Sequence, residues 1–396
     1  MKKRIMILGA GIYQIPLIKK AKEMGLETIV VTPKGPYPGI QMADIVLDKD
    51  TTDAESIILA AKEYDIAGIV TAGTDVSVPT VGAVVDALKL KGPTKQVAVT
   101  VSSKSRFRSF LQKNRLNHPE FVRCEDIEDA WTFYRNINSK IVMKPDDSSG
   151  SRGVSVIEQG QPEKVVQEAY DNAIKFSRSK VVCAEAFIDG VEVGGDAFVL
   201  NGEIIFITTT CKYFDGVVVQ GHSLPSSLSD EAIPLVKDEI QRAAFQLNYL
   251  DGPINFDVMI GESKVTIIEM GLRNGGNGIV DLVYHSYGVD LMKWLLAYVL
   301  SQPIDKTKIK EPKSISSYVF GSENKGILIK ISNLQELRTQ VPEVLDMVLA
   351  KQPGDSVEAF IHNANLIGYL LLNCGESGYQ QIVTRIREVL KIEVRE

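Results

Sequence analysis

The chain has 396 residues, 44% hydrophobic and 24% charged, an ordinary globular composition with room for two or three domains, each with its own core. Lysine plus arginine total 44 and aspartate plus glutamate 50, a formal net charge of −6. So mildly acidic a chain has no bulk attraction for nucleic acid or an anionic membrane, and neither is expected as a partner; any site for an anionic ligand must be local.

Taken in chain order, Lys2, Lys3 and Arg4 precede an apolar run as in a signal peptide. That run is short, contains Gly9 and Gly11, and is followed by Gln14, Lys19 and Lys20, so it reads as a first strand, Arg4–Leu8. A helix over Tyr13–Met24, a strand over Thr28–Val31, short strands at Ile45–Leu47 and Ala67–Thr71, and a helix over Ala54–Glu63 follow. Strands separated by helices imply a parallel sheet of βαβ type. Gly92–Pro93 marks a boundary, giving a first domain over 1–92. A second α/β region follows, with a hairpin signal at Asn201–Gly202. Pro303 and Pro312 flank a lysine-rich stretch that reads as a linker, beyond which strands mix with helices such as Tyr379–Leu390. Cys124, Cys183, Cys211 and Cys374 are far apart and form no CxxC pair, which fits reduced thiols, a cytoplasmic location and no zinc site. No stretch is apolar for long enough to span a bilayer.

Four features carry chemistry. Ser139–Met143 reads as a strand closed by Lys144–Pro145, before the loop Asp146-Asp147-Ser148-Ser149-Gly150-Ser151-Arg152-Gly153. Small residues let backbone N–H groups approach phosphate oxygens, and an adjacent lysine neutralises their charge; a surface hairpin would have the same composition. Lys104 follows an N-cap at Ser102 or Ser103, where its charge opposes the helix dipole unless phosphate is bound; a solvated lysine explains it as well. Glu185 interrupts the apolar run Val181–Ile188, and a buried carboxylate needs a partner. An adenine amino group, with backbone at Phe187 and Ile188, can supply one, and so can a salt bridge. Glu192 can accept from ribose hydroxyls. Finally, Ile254–Ile260 and Lys264–Met270 read as a hairpin around Gly261–Ser263 that sets Asp257 opposite Glu269. Like charges across strands are destabilising without a cation between them, and hard oxygen ligands suit magnesium bound together with phosphates. After Glu269 comes a glycine-rich loop in which Arg273 can stabilise charge on a transferring phosphoryl group.

In this order the features resemble the ATP-grasp superfamily of carboxylate–amine ligases, which includes phosphoribosylamine–glycine ligase, L-amino acid ligases and the carbamoyl-phosphate synthase large subunit. The resemblance implies an α/β ATP-grasp fold. A Rossmann-like pre-ATP-grasp domain would span 1–92, the ATP-grasp domain 93–305 with its nucleotide lobe at about 115–190, and a small α+β lid-type domain 306–396. It implies that Lys104 and Lys144 hold ATP phosphates under the Ser148, Ser149, Gly150, Ser151 and Gly153 loop. Glu185, Phe187 and Ile188 would form the adenine hinge and Glu192 would bind ribose. Asp257 and Glu269 would carry Mg²⁺ or Mn²⁺, and Arg273 with Lys144 would be catalytic. Lys212 or His222, lying between the nucleotide and metal elements, can contact phosphate or the substrate carboxylate. One departure stands out: the family often has asparagine two residues after the metal-binding glutamate, where this chain has Gly271. That puts a two-metal arrangement in question.

The implied reaction passes the γ-phosphate to a carboxylate and then the acyl group to an amine, by positioning and electrostatics rather than by a protein nucleophile. Small-molecule carboxylate and amine substrates are the partners, and a homodimer is left open. Two alternatives stand beside it. Gly9-Ala10-Gly11 after the first strand resembles a dinucleotide turn, but Gln14 replaces the third glycine and no acidic residue ends the second strand. Gly271 alone favours an ATP-binding scaffold without turnover.

Overall fold

The computed structural model describes residues 2–148, 150, 152–215, 218–228, 231–262, 264–375 and 378–395, so Ser149 and Ser151 lie outside the described residues. The N-terminal strands pair in parallel in the order Ile45–Asp48, Glu27–Thr32, Arg4–Leu8, Gly68–Val70. Ile5, Met6, Ile7 and Leu8 are all fully buried, as a parallel strand covered on both faces requires. The predicted first helix divides into a 3₁₀ turn, Ile12–Gln14, and an α-helix, Ile15–Glu23, with Pro16 in its first turn. At that turn the Gly11 N–H donates to Gln14 Oε1 at 2.8 Å, and Gln14 is buried with its amide on the Ala72 carbonyl. The chain's own side chain thus fills the place a dinucleotide pyrophosphate would take, and the oxidoreductase alternative has no site there.

The lobe expected to hold nucleotide is a four-stranded antiparallel sheet ordered Phe121–Cys124, Val182–Ala186, Ile141–Pro145, Ser155–Ile157. Two helices back it, Ile127–Asn136 and Glu163–Phe176. The second buries Val166, Ala169, Tyr170 and Ala173, one stripe at helical spacing. Asp126 caps the first by accepting the Asp129 N–H.

The largest sheet has eight strands in the order Val265–Gly271, Gly252–Ile260, Val191–Leu200, Glu203–Asp215, Val218–Leu224, Ile315–Phe320, Gly368–Asn373, Val344–Leu349. The Asn201–Gly202 turn joins two of them with both residues at positive φ, 53° and 80°, the geometry that the Asn-Gly pair predicts. Strand pairing crosses the division expected at 305/306, because Val218–Leu224 bonds directly to Ile315–Phe320. Beyond this sheet, Gly326–Ile331 pairs with Ser356–Val357 and Ile392–Arg395 in a small sheet of its own, and the helix Tyr379–Val389 forms as predicted. Packing also ignores the domain divisions. One core cluster joins Ile5, Leu17 and Val70 to Trp294, Leu296 and Tyr369.

Candidate active site

The lobe sheet and the eight-stranded sheet face each other across a cavity of about 250 Å³. Lys144, Glu185, Phe187 and Ile188 line it from the lobe, Glu192, Asp257 and Glu269 from the large sheet, and Ser148 and Gly150 from the loop between. Lys104 closes one end. The structure therefore brings together most of the residues singled out for nucleotide and metal. Gly150 and Gly153 have φ of 71° and 72°, a region costly for other residues.

On the large sheet Asp257 pairs in register with Glu269, as the spacing predicts, with a bulge just after Asp257. Two ammonium groups answer the resulting repulsion. Lys212 Nζ lies 2.6 Å from Asp257 Oδ1 and 2.6 Å from Glu192 Oε1, and Lys104 Nζ lies 3.4 Å from Glu269 Oε1. Burial, opposed by Lys212 and reinforced by Glu192, raises the Asp257 carboxyl. At Glu269 burial is outweighed by Lys104, Arg273 and Lys144, which lower it. Lys104 is the first residue of its helix, Lys104–Lys113, with Ser103 as the N-cap, and its ammonium also donates to the Ser148 carbonyl at 2.7 Å. Lys212 was expected at phosphate or substrate; here it bridges the ribose and metal candidates.

Glu185 is fully partnered within the protein, so the argument from an unpaired buried carboxylate to adenine falls away. Its oxygens accept from Arg108 Nε at 2.9 Å and from Lys144 Nζ at 2.6 Å. Burial would raise this carboxyl, but Arg108 and Lys144 outweigh it and hold it at about 2. Arg108, with no exposed surface, also donates to the carbonyls of Ile267 and Ile268 at 3.1 and 2.6 Å, on the strand that presents Glu269. Sequence reading missed it. The available signal was its place beside Phe107 and Leu111 on the apolar stripe of that helix. At the hinge, Phe187 donates its N–H to the Lys140 carbonyl, so it has no amide to offer a base. Ile188 has no backbone partner among the described residues.

Arg273 and His222 are not among the residues that line this cavity. Arg273 makes a two-point ion pair with Asp75, Nε to Oδ1 at 2.9 Å and Nη2 to Oδ2 at 2.5 Å, and gives Nη1 to Asn255 Oδ1 at 2.6 Å. Its guanidinium ties the segment around Asp75 to the large sheet. Gly271 lies under this pair: a Cβ there would come within 2.4 Å of Asp75 Oδ1, so the family's asparagine would have to push Asp75 off Arg273. Asp196, fully buried, holds the following loop by accepting the Gly275 N–H at 2.9 Å. Burial, opposed by Arg273 and that N–H, lifts its carboxyl to about 8. His222 is buried, its Nδ1 3.0 Å from Thr210 Oγ1 and its Nε2 3.4 Å from Asn277 Nδ2, while the Tyr13 hydroxyl donates to Asn277 Oδ1 at 2.6 Å. Burial, with Lys212 adding to it, lowers the imidazole to about 3, leaving it neutral.

Among the described residues no group of three or more His, Cys, Asp or Glu side chains is placed to hold a metal unaided. Asp257 and Glu269 nevertheless fit magnesium, which takes one or two carboxylates and completes its shell from phosphates and water. Their need for positive charge is visible in the ammonium groups they hold.

Residues 137–281 match the model of the ATP-grasp domain. The phosphoribosylamine–glycine ligase of Yersinia pestis is 29% identical over 196 residues, 48% of this chain and 45% of that enzyme, so the chain spans less than half of that relative's length. Among solved structures, the L-amino acid ligase of Bacillus licheniformis matches over 100% of this chain and 99% of its own, with a TM-score of 0.81 at 19% identity. The phosphoribosylglycinamide synthetase of Anaerococcus prevotii matches over 100% of both chains, with a TM-score of 0.78 at 22% identity. Residues 137–281 therefore match an ATP-grasp domain, and the chain as a whole shares the α/β fold of these two structures.

Proposed function

We propose that this protein is an ADP-forming ligase that activates a small-molecule carboxylate as an acyl phosphate and passes the acyl group to an amine. The observation that carries the reading is the Asp257–Glu269 pair, opposed across two strands in the wall of a cavity whose other wall presents Lys144. The ligase names of the proteins it resembles support the same chemistry.

In this reading the adenine lies at Ile188 and the ribose at Glu192. The phosphates run toward Lys104 and Lys144, whose charges offset theirs. Lys144 donates to Glu185, which fixes its ammonium in the cavity wall. Asp257 and Glu269 would hold magnesium, which when bound neutralises charge on the phosphates. Arg273 acts through position: with Asp75 it fixes the strand end that carries Glu269, and its charge is felt there. Orientation of a carboxylate against the terminal phosphate supplies the acceleration, and no protein nucleophile is needed.

The test is ADP release from ATP with pooled carboxylates and amines. Glu269→Gln should retain its fold by circular dichroism and lose about 100-fold or more of substrate-dependent ADP release, the scale of removing one preorganised electrostatic partner. Wild-type turnover in that variant would overturn the metal assignment. A second reading, nucleotide binding without turnover, is favoured by the commitment of Arg273 to Asp75. Nucleotide binding with no ADP release on any pool would select it.

A further inference from the structure

A second cavity, about 300 Å³, lies on the other side of Lys104 from the nucleotide cavity, and Lys104, Ser148 and Glu269 line both. Its walls come from the N-terminal domain, at Thr52 and Asp75–Thr80, and from the lobe and its approaches. A molecule seated in it would meet the nucleotide cavity at the lysine expected to hold phosphate.

The cavity's charges are unevenly partnered. Its four carboxylates are all committed: Asp75 to Arg273, Glu269 to Lys104, Asp146 to the Ser105 N–H and Ser103 hydroxyl, and Asp147 to the N–H groups of Arg178 and Ser179. Of its cations, Lys104 is paired with Glu269 and Arg123 with Glu125. Arg123 reaches Glu125 and Ser105 at 3.4 Å each, while Arg106 and Arg178 have no carboxylate within ion-pair distance among the described residues. Arg178 also lies near enough to Arg152 to add to burial in lowering it, so two guanidiniums repel there. All three cavity arginines are exposed at the rim, and the buried Ser102 hydroxyl in the wall has no partner. Three planar donor forks around one opening suit an oxyanion, which each can bind at two points.

We propose that this cavity seats the carboxylate substrate, and that the substrate carries a second oxyanion, a phosphoryl or a further carboxylate group. Arg106, Arg123 and Arg178 hold that tail at the rim while the reacting carboxylate points inward to Lys104 and Glu269. The substrate role rests on the ligase reading; the oxyanion site does not.

The experiment is calorimetric titration of the full chain with O-phospho-L-serine, L-glutamate and L-alanine, which differ in carrying a phosphoryl tail, a carboxylate tail or none. Wild type should bind at least one of the first two about tenfold or more tighter than alanine, the scale of a single charged hydrogen bond. Whichever binds tighter identifies the tail. The triple variant Arg106→Gln, Arg123→Gln, Arg178→Gln should bind all three alike, and the corresponding triple lysine variant should retain part of the preference. Unchanged MgADP affinity in each variant checks that the chain is folded. Equal binding of all three probes by wild type, or a tail preference that survives the glutamine variant, would overturn the proposal. Arginine-dependent binding without ADP release on any pool would uphold the oxyanion site and remove the ligase reading; ADP release with neutral-tailed carboxylates alone would do the reverse.

Discussion

Replacing Arg108 with methionine keeps most of the side chain's length and removes its charge and its five N–H donors. In the fold that change leaves Glu185 with Lys144 as its remaining cation and strips the Ile267 and Ile268 carbonyls of a donor. Breaking one partner of a buried ion pair costs about 3–5 kcal/mol. On the acid side Arg108 and Lys144 act together against burial, and their joint effect is of the same order. A Glu185 carboxyl held at about 2 against an ordinary 4.5 corresponds to about 3 kcal/mol of stability. Because the folded-state value is the lower one, that stability is complete above about pH 4.5 and is lost as pH falls toward 2. Arg108→Met should therefore lose about 3–5 kcal/mol at neutral pH, a large share of the 5–15 kcal/mol typical of a domain. Glu185→Gln should in addition flatten the acid limb. Trp131, stacked on Tyr134 in the lobe, reports urea unfolding of that lobe in a Trp294→Phe background. A loss under about 1 kcal/mol, the scale of an exposed pair, with an unchanged acid limb would refute the reasoning.

The remaining expectations concern the loop and the strand end. His222, its imidazole lowered to about 3 by burial and Lys212, should stay neutral from about pH 5 to 8, with its proton resonances assigned through His222→Asn. Its stabilising contribution is complete above its unfolded value of 6.5 and is lost as pH falls toward 3, so a titration near 6.5 in the folded protein would contradict the burial argument. Gly271→Asn, which restores the family's residue, should cost about 1–3 kcal/mol by forcing Asp75 off Arg273, with no gain in magnesium-dependent ADP binding. Tighter binding at unchanged thermal stability would show that the strand end has room after all.

What was legible in the sequence was whatever neighbouring residues decide. The hairpin carrying Asp257 and Glu269 follows from a short turn between two apolar runs, and the Ser103 cap from the residue beside Lys104. The turn itself pairs Ile260 with Val265, however, and it is the bulge after Asp257 that brings Glu269 opposite it. What was not legible depends on partners far away in the chain. Arg108 meets Glu185 across 77 residues, and an arginine on an amphipathic helix reads as solvated. Arg273 meets Asp75 across 198 residues, so its commitment to the N-terminal domain has no local sign, and its charge alone suggested a place beside phosphate. The lysine-rich stretch after Pro303 marks a loop correctly, yet composition cannot tell that the strand beyond it rejoins the same sheet.

That continuity has a mechanical consequence. The wall bearing Asp257 and Glu269 reaches the C-terminal strands through one long strand, Glu203–Asp215, which pairs with Val191–Leu200 over its first part and with Val218–Leu224 over its second. The opposite wall belongs to a sheet that shares no strand with it. The contacts that span the gap between them include Arg108 with Glu185, Lys104 with the Ser148 carbonyl, and Ser103, Lys104 and Ser105 with Asp146. A swing of the small sheet would have to break these bonds or turn about them, the buried Arg108 pair among them. Arg108 would then govern not only how firmly the lobe is attached but how readily a nucleotide enters and ADP leaves.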